Sequence, residues 1–208
     1  LITTFFIGLT GYTTALVAQY LGAGQRDRCA VALTQAVLVA LAAYPIMLAC
    51  RPLGHVMFEI AKVAPEQMEP QKRYFNILLW GSVISLLRNC LGGFFSGIGR
   101  TRIVMVASLT AMLANVAGNY ALIFGNWGFP AMGIDGAAWG TIFGGTCGLG
   151  VLTAGYLRPA IRAEFGVLRS LRFDLAAMTK LLRFGYPAGI EFFLNLLAFD
   201  LLILVFHS

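Results

Sequence analysis

Two asparagines in a charge-free apolar stretch are the side chains best placed to bind a ligand. The stretch covers residues 103–124, and Asn115 and Asn119 lie four residues apart within it. Residues at this spacing share one face of an α-helix. A carboxamide facing lipid finds no hydrogen-bond partner, so this face must point to another helix or to water. The pair predicts a polar site inside a membrane; simple packing against a neighbouring helix is the alternative.

Two carboxylates occur in a second apolar stretch near the end of the sequence. Glu191 and Asp200 are nine residues apart in this stretch. A carboxylate at the bilayer centre costs roughly 2.5–3.5 kcal/mol and persists only in water, beside a partner or protonated. Asp200 is the deeper of the two and the better candidate for binding a proton or cation. A position near the interface is the alternative for Glu191.

Arg88 is the only basic residue inside a predicted membrane span. It lies 12 residues before Arg100 in the sequence, which is roughly 18 Å along a helix. At that depth, pairing with an acidic residue of another helix is favoured over extension to the interface. Gln35 and Tyr120 are candidates either for lining a cavity or for ordinary packing.

The residue types needed for catalysis or metal binding are not arranged for it. The sequence contains no H-E-x-x-H or G-x-S-x-G pattern, its two histidines are far apart, and its four cysteines form no C-x-x-C pair. We therefore predict no enzyme activity, no metal site and no cofactor.

Six apolar stretches must position these residues. Each is long enough to cross the roughly 30 Å hydrocarbon core of a bilayer as a helix. With 59% hydrophobic and 12% charged residues, the chain has too few polar residues to cover a soluble surface. The sequence predicts an all-α, polytopic transmembrane helical bundle with spans at about 1–20, 30–50, 74–95, 103–124, 137–157 and 185–206.

The connecting segments carry the charge. The net charge of +6 is spread between the apolar stretches, which argues against nucleic-acid binding. A short interfacial helix is predicted at 54–63, and the basic segment 158–184 is predicted to lie along the membrane surface. Pro45 is predicted to kink the second span, and Pro187 to lie in the first turn of the sixth.

The basic residues also predict an orientation. Ten of them lie in the odd-numbered connections and four in the even-numbered ones, which places the odd connections in the cytoplasm. The first stretch then runs from outside to inside. A chain that starts in the cytoplasm would need an odd number of earlier spans, most simply one.

Four motifs resemble the multidrug and toxic compound extrusion (MATE) family in order and spacing. They are TALVAQYLGAGQRD, FFSGIGRTRIVM, NVAGNYALIFGNWGFPAMGIDGAAWGT and FGYPAGIEFFLNLLAF. The resemblance implies a fragment of a twelve-helix transporter with two six-helix lobes. Residues 1–157 would hold helices two to six of the first lobe, 158–184 a cytoplasmic inter-lobe linker, and 185–208 the first helix of the second lobe. A first helix with a key aspartate would precede Leu1.

The resemblance also implies a function. The family exports organic cations in exchange for protons or sodium ions, which predicts an antiporter in the bacterial inner membrane that works as a monomer of two lobes. Asn115, Asn119 and Thr141 occupy places of the family's polar cation site. Asn195 stands where many relatives have an acidic residue, with Glu191 and Asp200 about one turn away on either side.

The sequence departs from the family pattern at two places. Some relatives carry an aspartate at the position of Asn119, and SGIGRTR replaces their R-G-x-G-D-T-R. A lipid-linked saccharide flippase of the same superfamily is the alternative function, with Arg88 as its support because that substrate carries phosphates. An intramembrane enzyme is a more remote alternative.

Overall fold

The computed structural model describes residues 2–60 and 65–206, without the side chains of residues 57, 59, 60, 65, 200, 201 and 203–206. Within these ranges the chain is helical and contains no strand, which confirms the all-α prediction. The helices are α1 (Ile2–Gly11), α2 (Thr13–Gly22), α3 (Arg26–Ala49), α4 (Arg51–Ile60), α5 (Pro65–Gly97), α6 (Thr101–Phe124), α7 (Ile134–Tyr156), α8 (Pro159–Phe165) and α9 (Leu175–Phe206).

Four of the described helices, α3, α5, α6 and α7, are long and apolar enough to cross a membrane. The first apolar stretch forms α1 and α2, which follow each other across Tyr12. The backbone of Tyr12 remains in the right-handed helical region (φ −60°, ψ −16°), and its carbonyl accepts a 3.0 Å hydrogen bond from the amide of Leu16. The two segments therefore continue in nearly one direction.

The helix that contains the sixth apolar stretch begins at Leu175, ten residues before the predicted span. Asp174 explains this start, because its Oδ1 accepts a 2.8 Å hydrogen bond from the amide of Ala177, as an N-cap residue does. Pro187 consequently lies in the helix interior, and its predicted place in the first turn was wrong. The short helix predicted at 54–63 corresponds to α4, which begins at Arg51; residues 61–63 lie outside the described ranges, and the interfacial position stays a prediction.

The helices α6 and α7 form a close antiparallel hairpin. Gly136, Gly140, Gly144 and Gly148 recur every fourth residue on α7 and turn one face to α6. A Cβ added to Gly136 would lie 2.5 Å from the carbonyl oxygen of Leu122, so only glycine permits this approach. Small residues at such contacts are typical of helix pairs in membranes.

The segment after α7 is docked onto the end of the bundle. Ile161 and Phe165 of α8 are buried, and the Phe165 ring lies 5.5 Å from that of Phe94 on α5. The Glu164 carboxylate accepts hydrogen bonds from Arg26 and Arg100. These contacts join the α8 segment to the starts of α3 and α6.

The helix α9 crosses α1 at close range. A Cβ added to Gly8 would lie 2.6 Å from the carbonyl oxygen of Ala188, and one added to Gly185 would lie 2.5 Å from that of Leu9. The stacked rings of Tyr12 and Phe184, 5.7 Å apart, flank this crossing. The crossing therefore joins the predicted first lobe to the predicted start of the second.

Candidate functional site

Hydrogen bonds connect three of the predicted site residues, and one of these bonds joins α6 to α7. Asn119 Nδ2 donates to Asn115 Oδ1 (3.2 Å), and Asn115 Nδ2 donates to Thr141 Oγ1 (3.3 Å). Thr141 Oγ1 in turn donates to the carbonyl oxygen of Ala137 (2.9 Å). The four-residue spacing on α6 thus produces the shared polar face that the sequence predicted. We call Asn115, Asn119 and Thr141 the asparagine cluster.

Glycines on α7 make room for this cluster. A Cβ at Gly140 would overlap Asn119 Oδ1, and one at Gly144 would lie 2.8 Å from the Cβ of Asn115. The carboxamides therefore lie where side chains of α7 would otherwise be. The glycine repeat and the asparagine pair form one packing arrangement.

One oxygen of the cluster has no hydrogen-bond partner. Asn119 Oδ1 is buried and accepts no hydrogen bond from any described residue. Buried polar atoms in native structures usually have a partner, so such an orphaned acceptor indicates a ligand or solvent. Neutral amide and hydroxyl oxygens are ligands that hard cations accept. The cluster therefore presents neutral oxygens of the type that bind a small cation or a hydrogen-bond donor.

Arg88 lies in a separate polar cavity of about 440 Å³ between α1, α2, α5, α6 and α7. The polar side chains in its lining are Thr14, Ser85, Arg88, Asn89, Ser96 and Ser108. Arg88 Nε is buried without a hydrogen-bond partner among the described residues. Likewise, no ion pair joins Arg88 to a described carboxylate, so the predicted acidic partner stays a prediction.

Asn89 was not predicted as a site residue. Its Nδ2 donates to the carbonyl oxygen of Ile7 and to Thr10 Oγ1, both at 2.9 Å, and so ties α5 to α1. A sequence signal for it exists, because Ser85, Asn89 and Ser96 recur at helical spacing. That stripe marks the cavity face of α5.

The predicted acidic group on α9 lies apart from the asparagine cluster. Glu191 and Asn195 are exposed and line one depression of about 470 Å³ with neighbouring residues of α9. The helix α9 packs mainly on α1 and α3, whereas α6 packs mainly on α7. Asp200 also belongs to α9, but its side chain lies outside the described residues.

Gln35 and Tyr120 have structural contacts. Gln35 is fully buried, and its side chain bonds the carbonyl oxygen of Arg172 (2.8 Å) and the amide of Asp174 (3.3 Å). It therefore holds the segment before α9 rather than lining the Arg88 cavity. Tyr120 is exposed, and its ring lies 5.6 Å from that of Trp127. No group of His, Cys, Asp and Glu in the described ranges is arranged to hold a metal ion.

Comparisons with known proteins agree with this architecture. The family model described as MatE matches residues 1–121, more than half of the chain. A probable multidrug resistance protein NorM of Thermotoga maritima is 31% identical over 182 residues, which cover 86% of this chain and 39% of that protein. The multidrug resistance protein PmpM of Pseudomonas aeruginosa is 36% identical over 140 residues, covering 65% of this chain and 29% of that protein.

The fold is also that of a solved transporter. An inward-facing structure of a multidrug resistance MATE family transporter matches with a TM-score of 0.79 at 20% identity, over 92% of this chain and 43% of that one. The chain thus spans 39% of the first of these relatives and 43% of the solved structure. The family match, the helical bundle and its long apolar helices show that the chain belongs to the MATE family of membrane transporters and is a multi-pass membrane protein.

Proposed function

We propose that the whole protein is a cation-coupled antiporter that exports drug-like organic cations. The observation that carries the proposal is the asparagine cluster, an uncharged polar site with an orphaned oxygen on a membrane-crossing helix. The relatives described above are named multidrug resistance proteins, which supports a drug substrate. The remote alternative of an intramembrane enzyme is set aside, because the family consists of transporters.

The chemistry of the cluster limits which coupling ion it could bind. Amide and hydroxyl oxygens do not titrate near neutral pH, so the cluster by itself can bind Na⁺ but cannot exchange a proton. Proton coupling would need a carboxylate, and Glu191 and Asp200 are the candidates of α9. Sodium coupling through the cluster and proton coupling through α9 are therefore distinguishable by mutation.

Transport would proceed by alternating access. A ligand that binds one conformation more tightly shifts the population toward it. Transporters of this kind bind substrate near the membrane midplane, at the interface of two repeats that rock against each other. We place the protein in the bacterial inner membrane as a monomer, with the odd-numbered connections in the cytoplasm because they carry most of the basic residues.

Transport in liposomes tests the proposal. The whole protein is reconstituted, and movement of a fluorescent organic cation is followed under a sodium gradient and, separately, under a pH gradient. We expect Thr141→Val to lower the initial rate about tenfold, because it removes a hydroxyl of the cluster. The matched control is Thr146→Val, since Thr146 is exposed on the same helix and bonds only the carbonyl of Ile142. The proposal fails if the wild-type protein moves no organic cation under either gradient.

The flippase of lipid-linked saccharides is the second candidate. The observation in its favour is Arg88, the only charged residue among the described residues that line its cavity, since a basic cavity suits a phosphate-bearing substrate. Translocation of a fluorescent lipid-linked saccharide in the same liposomes, without movement of organic cations, would favour it.

A further inference from the structure

We propose that Gln35 is a positioning residue for transport, which fixes the start of α9 to the predicted first lobe. The first helix of the predicted second lobe then turns about an anchored end. This inference rests on the proposed function, because it assumes that two lobes rock against each other. It concerns residues 159–182, which the sequence predicts to be part of a linker between the lobes.

Both ends of the Gln35 carboxamide bind backbone that precedes α9. Its Nε2 donates to the carbonyl oxygen of Arg172 (2.8 Å), and its Oε1 accepts from the amide of Asp174 (3.3 Å). The side chain is completely buried, so water does not readily replace a lost partner. These two bonds therefore hold the backbone at 172–174 in one position against α3.

Asp174 connects this anchor to the helix. Its amide is bound by Gln35, while its Oδ1 accepts a 2.8 Å hydrogen bond from the amide of Ala177 in the first turn of α9. Asp174 is therefore both the residue that Gln35 holds and the N-cap of the helix. Leu181, about one turn after Ala177, is completely buried in the same apolar core as Leu33 of α3. The beginning of α9 is thus fixed by polar bonds and by packing.

The segment that leads to this anchor is docked as well. Ile161 and Phe165 are buried in the same apolar core. The Glu164 carboxylate pairs with Arg26 at the start of α3 and with Arg100 beside the start of α6. A flexible linker is usually polar and makes few contacts with the domains that it joins. The whole segment therefore moves with the first lobe.

Further along α9 the contacts are of another kind. A Cβ at Gly185 would lie 2.5 Å from the carbonyl oxygen of Leu9, and one at Gly189 would lie 2.8 Å from that of Phe5. The helices α9 and α1 thus meet backbone to backbone. Packing of this kind can separate, whereas the start of α9 is held by hydrogen bonds to a buried side chain. The helix therefore turns about its start, and Gln35 decides where that pivot lies.

Hydrogen exchange tests the anchor in the purified whole protein in detergent micelles, with mass spectrometry of peptides that cover 166–182. In the wild type these amides should exchange slowly. Gln35→Leu removes both hydrogen bonds, so we expect exchange of these peptides to become about tenfold faster. The control is Thr34→Val, which should leave their exchange unchanged, because the Thr34 hydroxyl donates to the carbonyl oxygen of Ala30 within α3 itself.

Transport kinetics separate a positioning role from a role in ligand binding. In liposomes we expect Gln35→Leu to lower the maximal rate for a fluorescent organic cation about fivefold and to change KM by less than about twofold. The reason is that the hydrogen bonds of Gln35 go to the start of α9 rather than to the asparagine cluster. Thr34→Val should transport like the wild type.

Should Gln35→Leu fail to fold, Glu164→Gln tests the same docking from its other end. The substitution removes the charge that pairs with Arg26 and Arg100, and we expect exchange at 159–166 to become about threefold faster. Unchanged exchange in this variant would overturn the docking of the segment.

Four further results would overturn the proposal. Rapid exchange of 166–182 in the wild type would show that the segment is not anchored, and unchanged exchange in Gln35→Leu would show that Gln35 does not anchor it. Normal transport by Gln35→Leu would remove its role in transport, and a raised KM at a normal maximal rate would make Gln35 a ligand-binding residue instead. Absence of wild-type transport counts against the proposed function alone, because the exchange data still decide whether Gln35 fixes the start of α9.

Discussion

The α6–α7 hairpin and the α1–α9 crossing both depend on glycine, but glycine makes room for side chains in the first and for a neighbouring backbone in the second. In the hairpin, Gly140 and Gly144 leave space that polar side chains occupy, namely those of Asn119 and Asn115. At the crossing, two glycines four residues apart on α9 bring one backbone against another, with Gly185 against Leu9 and Gly189 against Phe5. The same G-x-x-x-G spacing therefore builds a polar site in one place and an apolar contact in the other.

This difference has a consequence for motion. The hairpin is joined by the side-chain hydrogen bond from Asn115 to Thr141 as well as by close packing, so its two helices should move as one unit. The crossing is made of backbone contact and aromatic rings such as Tyr12 and Phe184. No hydrogen bond joins described side chains of α1 and α9, so this contact can separate more readily than the hairpin, as the proposed rocking of two lobes would require.

The largest effect is expected from a bulky residue inside the hairpin. Gly144→Leu would press against the carbonyl of Ala111, 2.6 Å from the new Cβ, and against Asn115. We expect the free energy of unfolding to fall by about 3 kcal/mol, measured by unfolding titration in mixed micelles. The control is Gly150→Leu on the same helix, because a Cβ at Gly150 meets nothing within 4 Å. Equal stability of the two variants would contradict the close packing of α6 on α7.

A smaller loss of stability is expected at the crossing, together with a loss of transport. Gly8→Val would force α1 away from Ala188 and Gly189. Because the crossing can separate, we expect unfolding to become easier by only about 1–2 kcal/mol, while the transport rate falls about tenfold. Gly22→Val at the end of α2 is the control, since its Cβ would meet nothing within 4 Å. Unchanged transport by Gly8→Val would show that this contact is not part of the transport cycle.

The smallest effect on stability is expected within the asparagine cluster itself. Asn119→Leu removes a buried oxygen that has no described partner, together with the 3.2 Å hydrogen bond that Asn119 Nδ2 donates to Asn115 Oδ1. These two effects oppose each other, so the free energy of unfolding should fall by only about 1 kcal/mol in the same titration. Transport should nevertheless be lost if the oxygen binds the coupling ion. Asn126→Ala serves as control, because Asn126 lies after α6 and bonds only the carbonyl of Tyr120. Normal transport by Asn119→Leu would show that Asn119 has only a packing role.

Much of the fold could be predicted from hydrophobicity. Apolar stretches of membrane-spanning length produced α3, α6 and α7 within about four residues of their predicted bounds. The helix α5 begins at Pro65, about nine residues before the predicted span. The start of α9 was missed because the cap of Asp174 extends the helix beyond its apolar part. An apolar pattern marks the part of a helix that meets lipid, and not the turns that a polar cap adds.

The candidate site was predictable only in part. The shared face of Asn115 and Asn119 follows from helical geometry, and the structure adds Thr141 as their partner across the hairpin. The surroundings of Arg88 required the packed bundle, because the cavity is lined by residues from five helices, several of them distant in sequence. The contacts of Asn89 also could not be predicted from local sequence, since its hydrogen bonds to Ile7 and Thr10 join segments about 80 residues apart.

What the sequence by itself determined is the set of membrane-length helices, the charge of their connections, and the face on which each polar residue lies. These properties depend on local composition and on the 3.6-residue period of the helix. Only the tertiary structure decided which glycines contact a carboxamide and which contact the backbone of a neighbouring helix. It also decided that Arg88 lines a cavity and forms no ion pair with a described carboxylate. Such contacts depend on which helices become neighbours, and helices of similar composition do not specify their neighbours by local pattern.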